Sequence, residues 1–196
     1  LALDESDGLL GTEIMFHPAA PSPRELGINP AFTADDFEFI EIRNVGAETL
    51  DLFGARFVSG IEFSFAGSPA ERLASGQPVL LVKSRSAFIA RYGDKPNIGG
   101  EFRGSLDNNG ERLQLVSGSG TTVLDFEYRA DWHAITAGHG FSLVLANENA
   151  IAKEAGRQSS WRPSASSGGS PGQADPAPTA LPGIVINEVL ANTDRK

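Results

Sequence analysis

The chain has 196 residues, of which 40% are apolar and 21% charged, and it contains 22 glycines and 12 prolines. This composition is typical of a folded domain with many turns, and it excludes wholesale disorder and collagen-like structure. Lys and Arg number 16 against 25 Asp and Glu, and the resulting net charge of −9 opposes binding to the phosphates of nucleic acids. With no cysteine, the chain has no disulfide, thiolate zinc site or cysteine nucleophile. No apolar stretch reaches the roughly 18 residues of a membrane span, so we expect no membrane insertion.

The first half of the chain predicts short strands. Apolar, aromatic and β-branched residues recur in brief runs bounded by turn residues, which is the pattern of strands in a pleated sheet. The predicted strands are 12–16, 37–43, 49–52, 55–58, 61–65 and 79–82. Between the first two lies a Pro- and Ala-rich segment, residues 19–36, which has no sustained apolar period and is predicted to be a loop.

The second half predicts one helix and further strands. Ser84 is placed to cap a helix that ends before Gly93, with Phe88 and Tyr92 one turn apart. Residues 97–104 are predicted to be irregular, 111–116 and 121–128 to form a hairpin, and 141–145 to form a strand. Many short strands with one small helix predict an all-β fold, an antiparallel β-sandwich.

The composition changes near the C-terminus. Residues 159–183 are rich in Ser, Gly, Pro and Ala, which predicts extended coil anchored by Trp161. Residues 187–192 are similar to residues 12–17 at an offset of 188 − 13 = 175 positions, and 184–190 read as a strand. We therefore divide the chain into a domain at 1–174, a linker at 175–183, and the opening strand of a truncated second copy at 184–196. Because Leu1 stands in place of an initiator Met, we expect a piece of a longer protein.

Several short motifs occur in a characteristic order. They are Glu13-Ile14 before His17-Pro18, Phe39-Ile40-Glu41-Ile42-Arg43-Asn44, Leu50-Asp51-Leu52-Phe53-Gly54, Val79-Leu80-Leu81-Val82, Asp107-Asn108-Asn109-Gly110-Glu111, Gly138-His139-Gly140-Phe141-Ser142-Leu143 and Trp161-Arg162-Pro163-Ser164. In this order they resemble the lamin tail domain over residues 11–173. The insertion at 19–36 departs from that family, which usually has a short loop there.

This resemblance implies an immunoglobulin-like β-sandwich with one short helix that acts as a non-catalytic interaction or scaffolding module. It implies tandem copies within a larger, exported bacterial protein, at the cell surface or secreted. It supplies no catalytic residue, cofactor or metal site, and the protein or cell-surface partner is not identified by it. The alternative is a carbohydrate-binding module accessory to an exported hydrolase.

Two possible catalytic arrangements involve histidine. His133, His139 and Asp131 could in principle ligate a metal, although exposed loop residues are the simpler interpretation. Ser142, His139 and Asp131 could form a nucleophilic triad, but the sequence around Ser142 lacks a nucleophile elbow. We expect neither site, and His17 is assigned no role.

Glu13 and Glu41 both lie within otherwise apolar predicted strands. A buried carboxylate is costly without partners, so the two are either a paired acid and base, as in glycoside cleavage, or structural acceptors. A structural role would require donation from backbone N–H groups or from an arginine such as Arg43 or Arg56. The resemblance favours the structural role.

Four further features bear on ligands and partners. Asp107, Asn108, Asn109 and Glu111, like Asp35 and Asp36, cluster oxygen atoms, but they lack EF-hand spacing, and we expect no tight calcium site. Trp132 lies in a predicted loop, where it could contact a carbohydrate or peptide. The longest basic cluster is Lys83-Ser84-Arg85, so we expect no binding to duplex DNA. We expect residues 184–190 to pair with a free sheet edge or a neighbouring chain.

Overall fold

The computed structural model describes residues 8–147 and 155–176. Most regular structure in this part is β-strand, with two α-helices and several three-residue 3-10 helices. The strands are β1 (Leu9–Met15), β2 (Phe39–Asn44), β3 (Leu50–Asp51), β4 (Arg56–Ser59), β5 (Arg72–Leu73), β6 (Pro78–Val82), β7 (Ile98–Glu101), β8 (Gly110–Val116), β9 (Thr122–Arg129), β10 (Leu143–Leu145) and β11 (Trp161–Pro163). The helices are α1 (Pro23–Ile28) and α2 (Arg85–Tyr92). The all-β class is confirmed.

The strands form one large sheet and two small ones. The large sheet has six strands in the order β11-β10-β1-β2-β6-β7, and β4-β8-β9 form a three-stranded sheet. Strands β3 and β5 pair separately. The predicted hairpin is confirmed as β8–β9, which pair antiparallel from Gly110 opposite Arg129 to Val116 opposite Thr122.

The main core lies between the six-stranded and three-stranded sheets. Ile14 and Ile42 of the large sheet belong to the same buried cluster as Leu115 and Phe126 of the small one. Alternate residues of the large sheet point the other way, and on that outer face Phe39 belongs to a second cluster with Phe88 of α2. This layering is compatible with a β-sandwich whose large sheet carries an additional cover.

The prediction of one helix is wrong, because residues 19–36 contain α1. Ser22 caps α1 by accepting from the backbone N of Glu25, and the Glu25 carboxylate accepts from the backbone N of Ser22 at 2.6 Å. This reciprocal capping box, with Pro23 in the first helical turn, starts a helix without a long apolar period.

Two predictions about strands are also wrong. Residues 61–65 make only isolated bridges, Arg56 with Ser64 and Glu62 with Arg103, because their neighbour changes from β4 to the chain after β7 within three positions. The segment predicted to be irregular contains β7, which pairs parallel to β6, so the sheets are mixed rather than purely antiparallel. A parallel pair needs a crossover connection, and α2 supplies it.

The predicted α2 is confirmed, since Ser84 accepts from the backbone N of Ala87 at 3.3 Å. Residues 184–190 lie outside the described residues, so their pairing stays a prediction. Asp175, which we placed at the start of the linker, accepts hydrogen bonds from the backbone N of Ala165 and from Arg162. In the described ranges, no helix has the length and apolar character needed to cross a membrane.

Candidate functional site

One row of paired residues crosses the whole outer face of the large sheet. Register pairs Arg162 with Val144, Val144 with Glu13, Glu13 with Glu41, Glu41 with Leu80, and Leu80 with Ile98. Glu13 and Glu41 are therefore direct cross-strand neighbours on β1 and β2, and each is only 2% exposed. The structure thus brings together the two carboxylates that the sequence singled out.

Glu13 is held by neutral donors from two parts of the chain. The Ser142 hydroxyl donates to Glu13 Oε1 at 2.5 Å, and the backbone N of Ser170 donates to the same oxygen at 2.9 Å. The Ser170 hydroxyl lies 3.4 Å from Oε2. Ser142 immediately precedes β10 in the chain, and Ser170 lies in the coil after β11, so Glu13 joins the sheet to that coil.

Glu41 is held in a similar way. Its Oε1 accepts from the Thr12 hydroxyl at 2.7 Å, and its Oε2 accepts from the backbone N of Gly172 at 2.7 Å. Arg43 contributes a longer contact of 3.4 Å to Oε1. These contacts match the structural role that the sequence left open, in which backbone N–H groups and Arg43 donate to the glutamates. Arg56, the other arginine considered, is exposed on β4 of the three-stranded sheet.

We call residues 165–175 the closing segment, because this coil covers the two glutamates. Its end is fixed by Asp175, whose carboxylate forms an ion pair with Arg162 and accepts from the Ser170 hydroxyl at 3.1 Å. The backbone N of Gly168 donates to the carbonyl of Gly140 at 2.6 Å. The segment is therefore tied to the sheet along its length by polar contacts.

Burial dominates the electrostatics of this site. The pKa of Glu13 is raised to about 7, mainly by desolvation and also by the neighbouring charges of Glu41 and Asp175, against the lowering effect of Ser142 and Ser170. Burial likewise raises the pKa of Glu41, although Thr12 and Gly172 favour its ionised form. Near neutral pH the raised pKa of Glu13 makes its protonated form accessible.

The other candidate catalytic residues are not assembled into a site. The Ser142 hydroxyl donates to Glu13, while Asp131 forms an exposed pair with Arg129 at 3.0 Å. His133 Nε2 lies 3.0 Å from the carbonyl of Trp161, and His139 is exposed. Within the two described ranges, no group of three His, Cys, Asp or Glu residues is arranged to hold a metal ion.

The oxygen-rich loops use their side chains to shape turns. Asp107 Oδ1 accepts from the backbone N of Asn109 at 2.8 Å, and Glu111 Oε1 accepts from the backbone N of Asp107 at 2.9 Å. Asp36 accepts from the backbone N of Thr33 at 2.7 Å. These are the local side-chain bonds expected of such turns.

Trp132 and Lys83 are engaged with the fold. Trp132 is partly buried against the main core, so it is not the exposed platform that its loop position allowed. Lys83 donates to the carbonyl of Gly104 and, at 3.1 Å, to the Ser105 hydroxyl. Arg85 lies at the start of α2, where its backbone N donates to Glu101.

Sequence reasoning missed two polar contacts that join distant parts of the chain. Arg91 pairs with Glu25 at 2.7 Å, donates to the carbonyl of Ala19 and stacks 3.4 Å from the centre of the Phe37 ring. The Ser-Pro-Arg-Glu run at 22–25 is a signal that could have located α1. Glu38, 1% exposed, accepts from the backbone N of Leu106, and burial raises its pKa to about 8.

Comparisons with protein-family models, curated proteins and solved structures found no match to this chain.

Two adjacent glycines test whether the closing segment depends on close contact with the carboxylates. Both have left-handed backbones, with φ of +75° at Gly169 and +95° at Gly168. A Cβ on Gly169 would overlap Glu13 Oε1 and lie 2.7 Å from Ser142 Oγ, whereas one on Gly168 would meet only Tyr92 at 3.7 Å. We expect Gly169→Ala to lower the free energy of unfolding by roughly 2 kcal/mol more than Gly168→Ala, measured by urea denaturation. Equal losses would contradict this account, because backbone strain is shared by both variants.

Proposed function

We propose that this chain is a non-catalytic interaction and scaffolding module, an immunoglobulin-like β-sandwich of the lamin tail type within a larger exported bacterial protein. The observation that carries this proposal is the use of the Glu13 and Glu41 carboxylates. Both are covered by the closing segment and accept hydrogen bonds from its backbone, at 2.9 and 2.7 Å. A general acid–base pair directs its hydrogen bonds to a substrate, whereas these two carboxylates use theirs to hold a segment of their own chain.

The internal similarity supports a role as a repeated unit. The structure gives β1 the bounds Leu9–Met15, and adding the offset of 175 positions places its counterpart at 184–190. These are the bounds that the sequence pattern alone predicts for the second opening strand. In that alignment Glu188 is the counterpart of Glu13. A module that recurs in tandem serves as a spacer or as one of several binding surfaces.

A substrate screen with matched variants tests the non-catalytic role. We expect no turnover of ester, glycoside, peptide or phosphoester substrates by the wild type, by Glu13→Gln or by Glu41→Gln. Chromogenic substrates of each class, assayed between pH 5 and 8, provide the measurement. Glu127→Gln, on the exposed side of β9, is the control for loss of one negative charge. Turnover by the wild type that disappears in Glu13→Gln or Glu41→Gln but persists in Glu127→Gln would overturn the proposal.

One cleft favours carbohydrate binding as a second candidate function. It has a volume of about 410 Å³ and is lined by two arginines, two glutamates, a serine and two phenylalanines, of which Phe57 is buried in the main core. Its lining residues are Arg56, Phe57, Glu62, Phe63, Ser64, Glu101 and Arg103.

The framework of this cleft is fixed by backbone hydrogen bonds. Phe57 N donates to the carbonyl of Phe63 at 2.9 Å, and Arg103 and Glu62 exchange bonds of 2.9 and 3.0 Å. The two arginines and two glutamates balance in charge, so the cleft offers both hydrogen-bond donors and acceptors but carries no net charge. This is the chemistry that hydrogen-bonds the vicinal hydroxyls of a neutral saccharide.

Affinity electrophoresis in gels containing soluble neutral polysaccharides tests this second candidate. We expect retardation of the wild type, and we expect Arg103→Ala to weaken the apparent affinity about tenfold, since a hydrogen bond from a charged donor contributes about 1.5 kcal/mol. Arg72→Ala, an exposed arginine on β5, is the control and should migrate like the wild type. Migration of the wild type unaffected by every polysaccharide, or equal retardation of Arg103→Ala, would contradict carbohydrate binding in this cleft.

A further inference from the structure

The closing segment is attached to the sheet at a place where two carboxylates lie side by side. Glu13 and Glu41 are cross-strand partners, and the chain covers both with backbone N–H groups of Ser170 and Gly172. Docking of the segment therefore removes two adjacent acids from water. The remainder of its attachment comes from Asp175, which binds Arg162 and Ala165.

We propose that the closing segment is a pH-sensitive latch, which is docked on the Glu13 and Glu41 carboxyls under acidic conditions and released as they ionise. In the docked state the donors to Glu13 Oε1 are neutral: the Ser142 hydroxyl and the backbone N–H of Ser170. Such donors do not fully offset a buried charge that is next to another carboxylate. Releasing the segment returns both carboxylates to water.

Every element around Glu13 contributes to this balance. The titratable and charged groups that face the pair are Glu41 and Arg43 on β2, Asp175 on the closing segment, Arg162 on β11, and Tyr92 at the end of α2. Arg162 is already paired with Asp175, and the Arg43 contact is directed to Glu41. Tyr92 is neutral in this pH range, since burial raises its pKa above its ordinary value. The pKa of Glu13, at about 7, therefore falls near neutral pH.

The direction of the effect follows from linkage. Burial raises the pKa of Glu13 from 4.5 to about 7 in the docked state, so docking is coupled to proton uptake. The docked segment is fully favoured below pH 4.5 and loses this contribution as pH rises through about 7. The corresponding change in the ratio of released to docked segment is about two orders of magnitude. Release would free up to roughly 35 Å of chain beyond β11.

A single spin label can follow this equilibrium, because the chain has no cysteine. Gln173 lies exposed on the closing segment, and Gln173→Cys carries the nitroxide in the full-length chain. We expect the mobile component of the spectrum to grow between pH 5 and pH 8. Adding Glu13→Gln should remove most of this change, and Glu13→Gln with Glu41→Gln should remove all of it. Glu127→Gln, the exposed control, should keep the wild-type profile.

A label that stays mobile or immobile throughout the pH range would overturn the latch. So would a pH profile that is unchanged by Glu13→Gln. If the double variant fails to fold, the latch is tested on the wild type by following the NMR shifts of the Glu13 carboxyl and the Ser170 amide as pH is varied. The latch requires the Ser170 amide to shift with the Glu13 carboxyl at the same midpoint, and independent midpoints would contradict it.

Discussion

Two buried carboxylates on the outer face of one sheet have to be supplied with hydrogen-bond donors, and the arrangement of the C-terminal coil follows from this constraint. Glu13 and Glu41 lie in the middle of a six-stranded sheet, where the neighbouring strands offer them few donors. The chain brings the missing donors from more than 120 residues away along the sequence. A coil of Gly, Ser and Pro suits this purpose, because its backbone can approach a carboxylate closely where a larger side chain would collide. A segment whose composition predicts extended coil is thus part of the fold.

The same face of the sheet is covered in two different ways. Its apolar part carries Phe39 and Leu80 and is covered by Phe88 of α2 through ordinary hydrophobic packing. Its polar part carries the two glutamates and is covered by hydrogen bonds from the closing segment. The free energy of hydrophobic burial does not depend on pH, whereas the free energy of burying a carboxylate does. The cover that α2 provides is therefore unaffected by pH in the physiological range, whereas the cover that the closing segment provides depends on pH.

The sequence predicts the all-β class, the β8–β9 hairpin and α2, because these depend on local period, turn residues and caps. It also identifies Glu13 and Glu41 as unusual, since a charged residue interrupts an apolar strand at each position. It does not reveal β7, because its parallel pairing with β6 depends on a crossover and not on residue pattern. Nor does it reveal that Ser170 and Gly172 meet the two glutamates, because a flexible composition is equally compatible with free coil. Residues 61–65 alternate like a strand, yet they make only isolated bridges, because alternation shows which side chains share a face and not which backbone they pair with.

The attachment of the closing segment to the two glutamates is tested most directly by the hydrogen exchange of the Ser170 and Gly172 amides, measured by NMR at pH 5. If the two carboxylates accept these N–H groups as described, both amides exchange far more slowly than the same residues in an unstructured peptide. The neighbouring Ser166 amide serves as an internal comparison, because no hydrogen bond to either carboxylate protects it. Exchange of Ser170 and Gly172 at the unstructured rate would show that the closing segment is not fastened to the glutamates, and it would contradict the account.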